Sequence, residues 1–196
     1  MSTPIDERSL DVLFRDARTH SAWQDKPVPE SLLRQMFNLA KMAPTSANCS
    51  PMRLVFVSTA EGKARLKPAL SAGNVDKTMA APVTAIIAQD TRFYEHLPTL
   101  FPHADAKSWF VGNDALIQAT MFRNASLQGA YVIMAARALG LDCGPMSGFD
   151  AAKLNAEFFP DGRFQVNFLC NLGYGDRGKL FARSPRFECE DVCTFV

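Results

Sequence analysis

The chain's 196 residues predict an α+β fold, and three features point to it. Segments with helical period and segments with strand composition mix without regular βαβ alternation, which argues against a doubly wound parallel sheet. The longest helical pattern is nearly apolar all round in its second half and so belongs in a large core or a subunit interface. The length suits a single domain, residues 1–196, that buries a substantial core without disulfide or metal staples.

The elements follow in chain order. A first helix ends in 17–23 (ARTHSAW). Residues 30–42 (ESLLRQMFNLAKM) set Leu32, Leu33, Met36, Phe37 and Ala40 on one face behind Pro29, the pattern of an amphipathic helix on a core. Residues 53–58 (RLVFVS) and 83–89 (VTAIIAQ) are short, rich in branched side chains and preceded by Pro51 or Pro82, so they predict strands. Between them Thr59 caps a short helix ending near Ala69. Residues 113–139 form the long helix, closed by Gly140. Asp150 then caps a helix through Phe158, and 164–172 (FQVNFLCNL) predicts a central strand.

Composition narrows the function classes. Lys and Arg number 21 against 20 Asp and Glu, so no surplus of charge draws the chain to nucleic acid or to an acidic membrane. The expected partners are small molecules or copies of itself. Five cysteines, without a C-x-x-C pair and scattered through apolar runs, fit a reducing cytoplasm. Asp6, Glu7 and Arg8 occupy the place of a signal peptide's apolar stretch, and no segment reaches the ~20 apolar residues of a membrane span, so an unexported cytoplasmic protein is expected. His20, His96 and His103 lack metal-ligand spacing, and no metal site is expected. Residues 173–179 (GYGDRGK) match G-x-G-x-x-G. Leu180 stands where a P-loop needs Ser or Thr, however, and Pro185 interrupts the helix such loops require, so the stretch predicts a turn. There is no G-x-S-x-G elbow and no evident basic partner for a cysteine nucleophile.

Four segments are more polar than packing requires. Arg18 in 17–23 can fork onto a phosphate while Thr19 and Ser21 add short donors, although a helix terminus with capping hydroxyls accounts for the same residues. Residues 44–51 (PTSANCSP) crowd Thr45, Ser46, Asn48 and Ser50 between two stiffening prolines; an ordinary loop has this composition too. Asn74 and Lys77 share a helical face, as they also would on a solvated helix. The fourth segment pairs 144–149 (GPMSGF) with 183–186 (RSPR): a glycine-rich turn that backbone can bring near a planar ligand, and two arginines for a phosphate. A loop and a basic tail is the plainer reading.

In order and spacing these segments resemble the nitroreductase family of flavin mononucleotide (FMN) enzymes, above all its malonic-semialdehyde-reductase branch of pyrimidine utilisation. ARTH, PTSANCSP, SAGNVDKT, FPHADAKSWF, FRNASLQGAY, GLDCGPMSGFD and NLGYGD sit where that branch has similar runs, over nearly the whole length. The resemblance implies a central, mostly antiparallel sheet flanked by helices, in an intertwined homodimer with FMN at two interface sites. It implies that Arg18, Thr19, His20 and Ser21, with Arg183 and Arg186, face the phosphate and ribityl chain, and that Asn74 and Lys77 reach the pyrimidine edge. It also implies that Pro44, Thr45, Ser46 and Asn48 come from the neighbouring subunit, and that Pro145, Met146, Ser147 and Gly148 line the ring face and N5. Ser21 and Ser147 depart from the broader family, which carries a basic residue and a glutamate there.

The implied activity passes a hydride from NAD(P)H through the flavin to a small acceptor: malonic semialdehyde, giving 3-hydroxypropionate, or a nitro, quinone or enone compound. The flavin N5 carries the hydride, no side chain is a catalyst, and Lys77 stabilises the reduced ring electrostatically. Residues 100–123 fall where the family closes over the flavin. Trp109 and Phe110 there would narrow the pocket and Arg123 would hold an anionic end, unless the aromatics pack the core and Arg123 pairs with an acid. The alternative function is a flavin-binding sensor or carrier without turnover.

Overall fold

A computed structural model describes residues 3–196. Four strands form one sheet in the order β1-β2-β4-β3, with every neighbouring pair antiparallel: β1 (Met52–Val57), β2 (Val83–Asp90), β4 (Phe164–Gly173) and β3 (Asp142–Met146). All eight residues of β2 are buried, as its VTAIIAQD sequence requires of a strand covered on both faces. Successive side chains serve opposite layers. Ala85 and Ile87 join Leu33, Met36, Val132 and Ala136 beneath α2 (Glu30–Ala40) and α6 (Asp114–Ala138). Ile86 and Ala88 join Leu66 and Leu154 beneath α3 (Ala60–Leu66) and α7 (Ala151–Phe158). The long helix lies close on β4 at Gly129, where an added Cβ would stand 2.5 Å from the Phe168 ring.

The remaining helices are short. α1 (Glu7–Leu10) runs on as a π-turn over Asp11–Arg15, α4 (Ala72–Ala80) leads into β2, α5 (Leu97–Leu100) follows it, and α8 (Cys189–Val192) lies near the C-terminus. The caps expected at Thr59 and Asp150 accept from Gly62 N and Lys153 N. GYGDRGK is the end of β4 and a short 3-10 turn over Arg177–Lys179, as expected. Among the described residues no helix is long and apolar enough to cross a membrane.

The structure departs from the sequence reading at β3. The stretch expected to be a glycine-rich turn begins as β3, with Pro145 inside the strand; the position is tolerated because β3 is an edge and Pro145 needs no outward donor. Of the two settings expected for the second half of α6, a core within one chain does not hold it fully, since Leu127 is 46% and Tyr131 43% exposed there. Phe122 on the same helix, and Phe181, Phe187 and Phe195 of the C-terminal stretch, are also open to solvent.

An ion cluster that no local pattern announces closes the far end of β2. Asp90 is buried, and it accepts from Arg53 Nη2 at 2.6 Å, Arg163 Nε at 2.7 Å and Arg92 N at 2.9 Å. Arg53 also donates to the carbonyls of Ser50 and Met52, which ties the cluster to the loop before β1.

Candidate functional site

At the Val83 end of the sheet, residues 17–23 run along the outer edge of β3. His20 N donates to Cys143 O at 2.9 Å and Thr19 bridges the same residue. Only glycine fits at 144, because a Cβ there would lie 2.6 Å from His20 O. Three residues on, Trp23 Nε1 donates to Lys77 O at 3.0 Å and so ties this segment to α4. At the other end of α4, Asn74 Nδ2 and Ser71 N both donate to Gly148 O, at 2.7 and 3.1 Å. Three of the four polar segments are thereby joined. Lys77 is half-buried, and among the described residues no ion pair engages its ammonium.

Two guanidiniums collect at the end of the first helix. Arg18 Nη2 donates to Phe181 O at 2.6 Å, and Arg183 Nη2 donates to Arg15 O at 2.6 Å and Ala17 O at 3.1 Å. These bonds leave most donors of each fork free. Arg186, by contrast, donates to the carbonyls of its own neighbours Ser184 and Pro185 and is not drawn to this cluster. The His20 ring is enclosed against Gly175, with Nε2 3.4 Å from Asp142 Oδ1 and Nδ1 without a partner. Burial outweighs the Asp142 charge and lowers its pKa, which favours the neutral ring. Ser21 and Ser147 are exposed, Pro145 pairs with Cys170 in the sheet, and Met146 Sδ accepts from Thr78 Oγ1 at 3.5 Å.

Pro44, Thr45, Ser46 and Asn48 lie at the opposite end. Their loop enters β1 at Met52, which pairs with Gln89, six residues of β2 away from Val83, or about 20 Å at ~3.4 Å per residue. The loop is tied down there: Ser46 N donates to Asn124 Oδ1 at 2.9 Å, while Asn48 Nδ2 donates to Leu100 O at 2.9 Å and Ser50 N to Thr45 Oγ1 at 3.1 Å. Ala47, Asn48 and Ser50 all have positive φ (47°, 49° and 38°), a strain that only an over-determined loop retains. Cys49 is buried beneath it, and burial pushes its thiol up to about 11, so it packs as a neutral side chain.

The aromatic segment adjoins this second end. Trp109 is 51% exposed and edge-on to Phe101 at 6.2 Å. Phe110 corrects the sequence reading. At 4% exposure, with its ring 5.0 Å from Phe93 in an edge-to-face pair, it belongs to the core cluster under the loop and lines no open wall. Arg123 is exposed on α6, and among the described residues it pairs with no acid. Trp23, Asn171 and Lys63 hold α4 in place and were not singled out from sequence. Trp23 stood inside ARTHSAW, but nothing local identifies its carbonyl partner.

A model of the nitroreductase family matches residues 15–174, which spans both ends of the sheet. The chain belongs to the nitroreductase family. Among its relatives, a Burkholderia lata protein with the provisional name NADH dehydrogenase/NAD(P)H nitroreductase is 64% identical over 190 residues, 97% of each chain. A Polynucleobacter asymbioticus protein with the same provisional name is 60% identical over 196 residues, the full length of both. The fold matches that of a provisionally named Exiguobacterium sibiricum nitroreductase in complex with FMN, with a TM-score of 0.85 at 17% identity over 100% of this chain and 99% of that one. It also matches an enone reductase of gut-bacterial fatty acid saturation, with a TM-score of 0.83 at 19% identity over 98% of this chain and 100% of the other. The nitroreductase fold is thus the frame on which both groups of polar residues stand.

Proposed function

We propose that this nitroreductase is an FMN-dependent oxidoreductase that works as a homodimer, taking hydride from NAD(P)H and delivering it to a small acceptor. One observation carries the reading: the polar groups form two separate clusters in one chain, Arg18, Asn74, Lys77, Gly148 and Arg183 about α4 and the ends of β3, and Thr45, Ser46 and Asn48 in the loop before β1. A two-fold pairing brings the first cluster of one chain to the second cluster of its partner, twice. Exposed Phe122, Leu127 and Tyr131 give such a pair an apolar surface to bury. The names of the relatives favour NAD(P)H as donor.

The donor set suits FMN. Arg18 and Arg183 offer forked donors to a terminal phosphate, and Thr19 and Ser21 add hydroxyls. Asn74 spends its amide nitrogen on Gly148 O, which leaves Oδ1 free to accept from a ring N–H. Pro145, Met146, Ser147 and Gly148 form the rim that a planar ring would face. FMN, when bound, supplies the hydride chemistry. The chain's part is to hold the ring, to keep one face open, and to place the unpaired Lys77 ammonium where negative charge grows on reduction.

On the acceptor, exposed Trp109 and the unpaired Arg123 favour a small molecule with an anionic end, such as malonic semialdehyde. With NADH and then NADPH as donor, kcat/KM for malonic semialdehyde is expected to exceed that for an uncharged aldehyde of similar size and for a nitroaromatic by about tenfold, or ~1.4 kcal/mol in transition-state terms. An uncharged aldehyde that does as well removes the anionic pocket. Failure of every acceptor to sustain NAD(P)H oxidation by the FMN-loaded protein removes turnover altogether.

A further inference from the structure

The inner side of α4 meets a lysine that the site does not use. Lys63, on α3, is 5% exposed, and its Nζ donates to Thr78 O and to Thr84 Oγ1, both at 2.7 Å. Among the described residues no carboxylate pairs with it. Burial lowers its pKa to about 8. An ammonium taken out of water without a counter-charge costs stability, and methionine would fill the same space more cheaply, so packing alone does not explain a lysine here.

The helix end it touches does explain one. After Ala80 the chain leaves helical geometry at Ala81 (φ −68°, ψ 136°) and runs into Pro82, so the glycine turn that commonly satisfies the last carbonyls is missing. Side chains from three distant segments replace it. Trp23 Nε1 and Asn171 Nδ2 donate to Lys77 O at 3.0 and 3.3 Å, and Lys63 donates to Thr78 O. The three are linked, because Thr84 Oγ1 accepts from Lys63 and donates to Asn171 Oδ1 at 2.7 Å, while Asn171 Nδ2 also reaches Thr78 Oγ1 at 3.3 Å. A cation at this position also opposes the partial negative charge of the helix C-terminus.

We propose that Lys63 is a positioning residue: it locks the last turn of α4 and thereby sets Lys77 against the flavin. The inference rests on the role given to Lys77 under the proposed function. It is tested by a double-mutant cycle on Lys63→Met, Lys77→Met and the double variant, reading the reduced-to-oxidised ratio of bound FMN against a reference dye at fixed potential. Lys77→Met is expected to lower that ratio about tenfold and Lys63→Met by a comparable factor, as loss of one charged interaction implies. The double variant should fall no further than Lys77→Met alone. An unchanged ratio in Lys63→Met, or additive effects, overturns the proposal; a merely structural lysine would alter stability and leave the ratio in place.

A second readout needs no flavin. In the FMN-free protein, Lys63→Met should speed amide exchange of residues 77–80 at least about tenfold, with β2 protection retained. Equal protection of that turn in both proteins overturns the proposal. Where Lys63→Met does not fold, Lys63→Gln, which keeps a shorter neutral donor, enters both comparisons. A wild-type chain that takes up no FMN would sink the proposed function, while the exchange experiment still decides whether Lys63 holds α4.

Discussion

Replacing Arg18 and Arg183 together by alanine is expected to weaken FMN binding about a thousandfold. On the proposed function each guanidinium loses a charge-assisted contact with the phosphate worth about 2 kcal/mol, and ~4 kcal/mol corresponds to about three orders of magnitude in Kd. Both arginines also tether backbone, Arg18 to Phe181 O and Arg183 to the carbonyls of Arg15 and Ala17, so the variant loosens the C-terminal stretch as well. Riboflavin separates the two effects. It has no phosphate, and its affinity should change less than about threefold if the arginines act on the phosphate. An equal fall for riboflavin and FMN would assign the arginines to the chain's own structure. Arg186→Ala serves as the comparison, because among the described residues Arg186 donates only to the carbonyls of Ser184 and Pro185, and it should leave FMN affinity within about threefold.

The largest effect on stability is expected at Asp90. Asp90→Asn leaves Arg53 and Arg163, each about three-quarters buried, without their shared counter-charge, and should cost about 3–5 kcal/mol at pH 7. Burial works to raise the pKa of Asp90, but the hydrogen bonds from Arg163 and Arg92 N, with the Arg53 charge, outweigh it and hold the carboxyl below its ordinary range. The sign follows. A carboxylate with a depressed folded pKa contributes its stability in full above the unfolded value of about 4, and loses it as pH falls through the folded value. Urea midpoints for the two proteins should therefore differ widely at pH 7 and draw together as pH falls below about 4. A gap that persists undiminished in acid would mean that the cluster stabilises the fold by shape and not by charge.

Helical period made α2 readable, and short apolar runs rich in branched residues made β1, β2 and β4 readable, as the long apolar run did for α6. β3 was not readable, since Gly144 and Pro145 look like a turn and only an edge position beside β4 makes them a strand. The Asp90 cluster joins residues 37 and 73 positions apart, a separation that no window on the sequence spans. The same limit applies within the site. The polar residues of ARTH and GPMSG could be picked out as chemistry-bearing, yet neither the enclosure of the His20 ring by Gly175 nor the path from Lys63 to Lys77 leaves a local trace. Phe110 shows the opposite error, in which a ring beside exposed Trp109 was grouped with it although its own side faces Phe93. Residue type identified what could act; burial decided which of those residues face outward.

That a flavin is held between two chains is tested most directly by sedimentation of the FMN-reconstituted protein, followed at the flavin's visible band. The visible absorbance should travel with a species of twice the chain's 21.6 kDa, with about one FMN per chain, and dilution that splits the pair should release the flavin. Flavin that sediments tightly bound to a single 21.6 kDa chain, or that stays behind free while the protein moves, would contradict it.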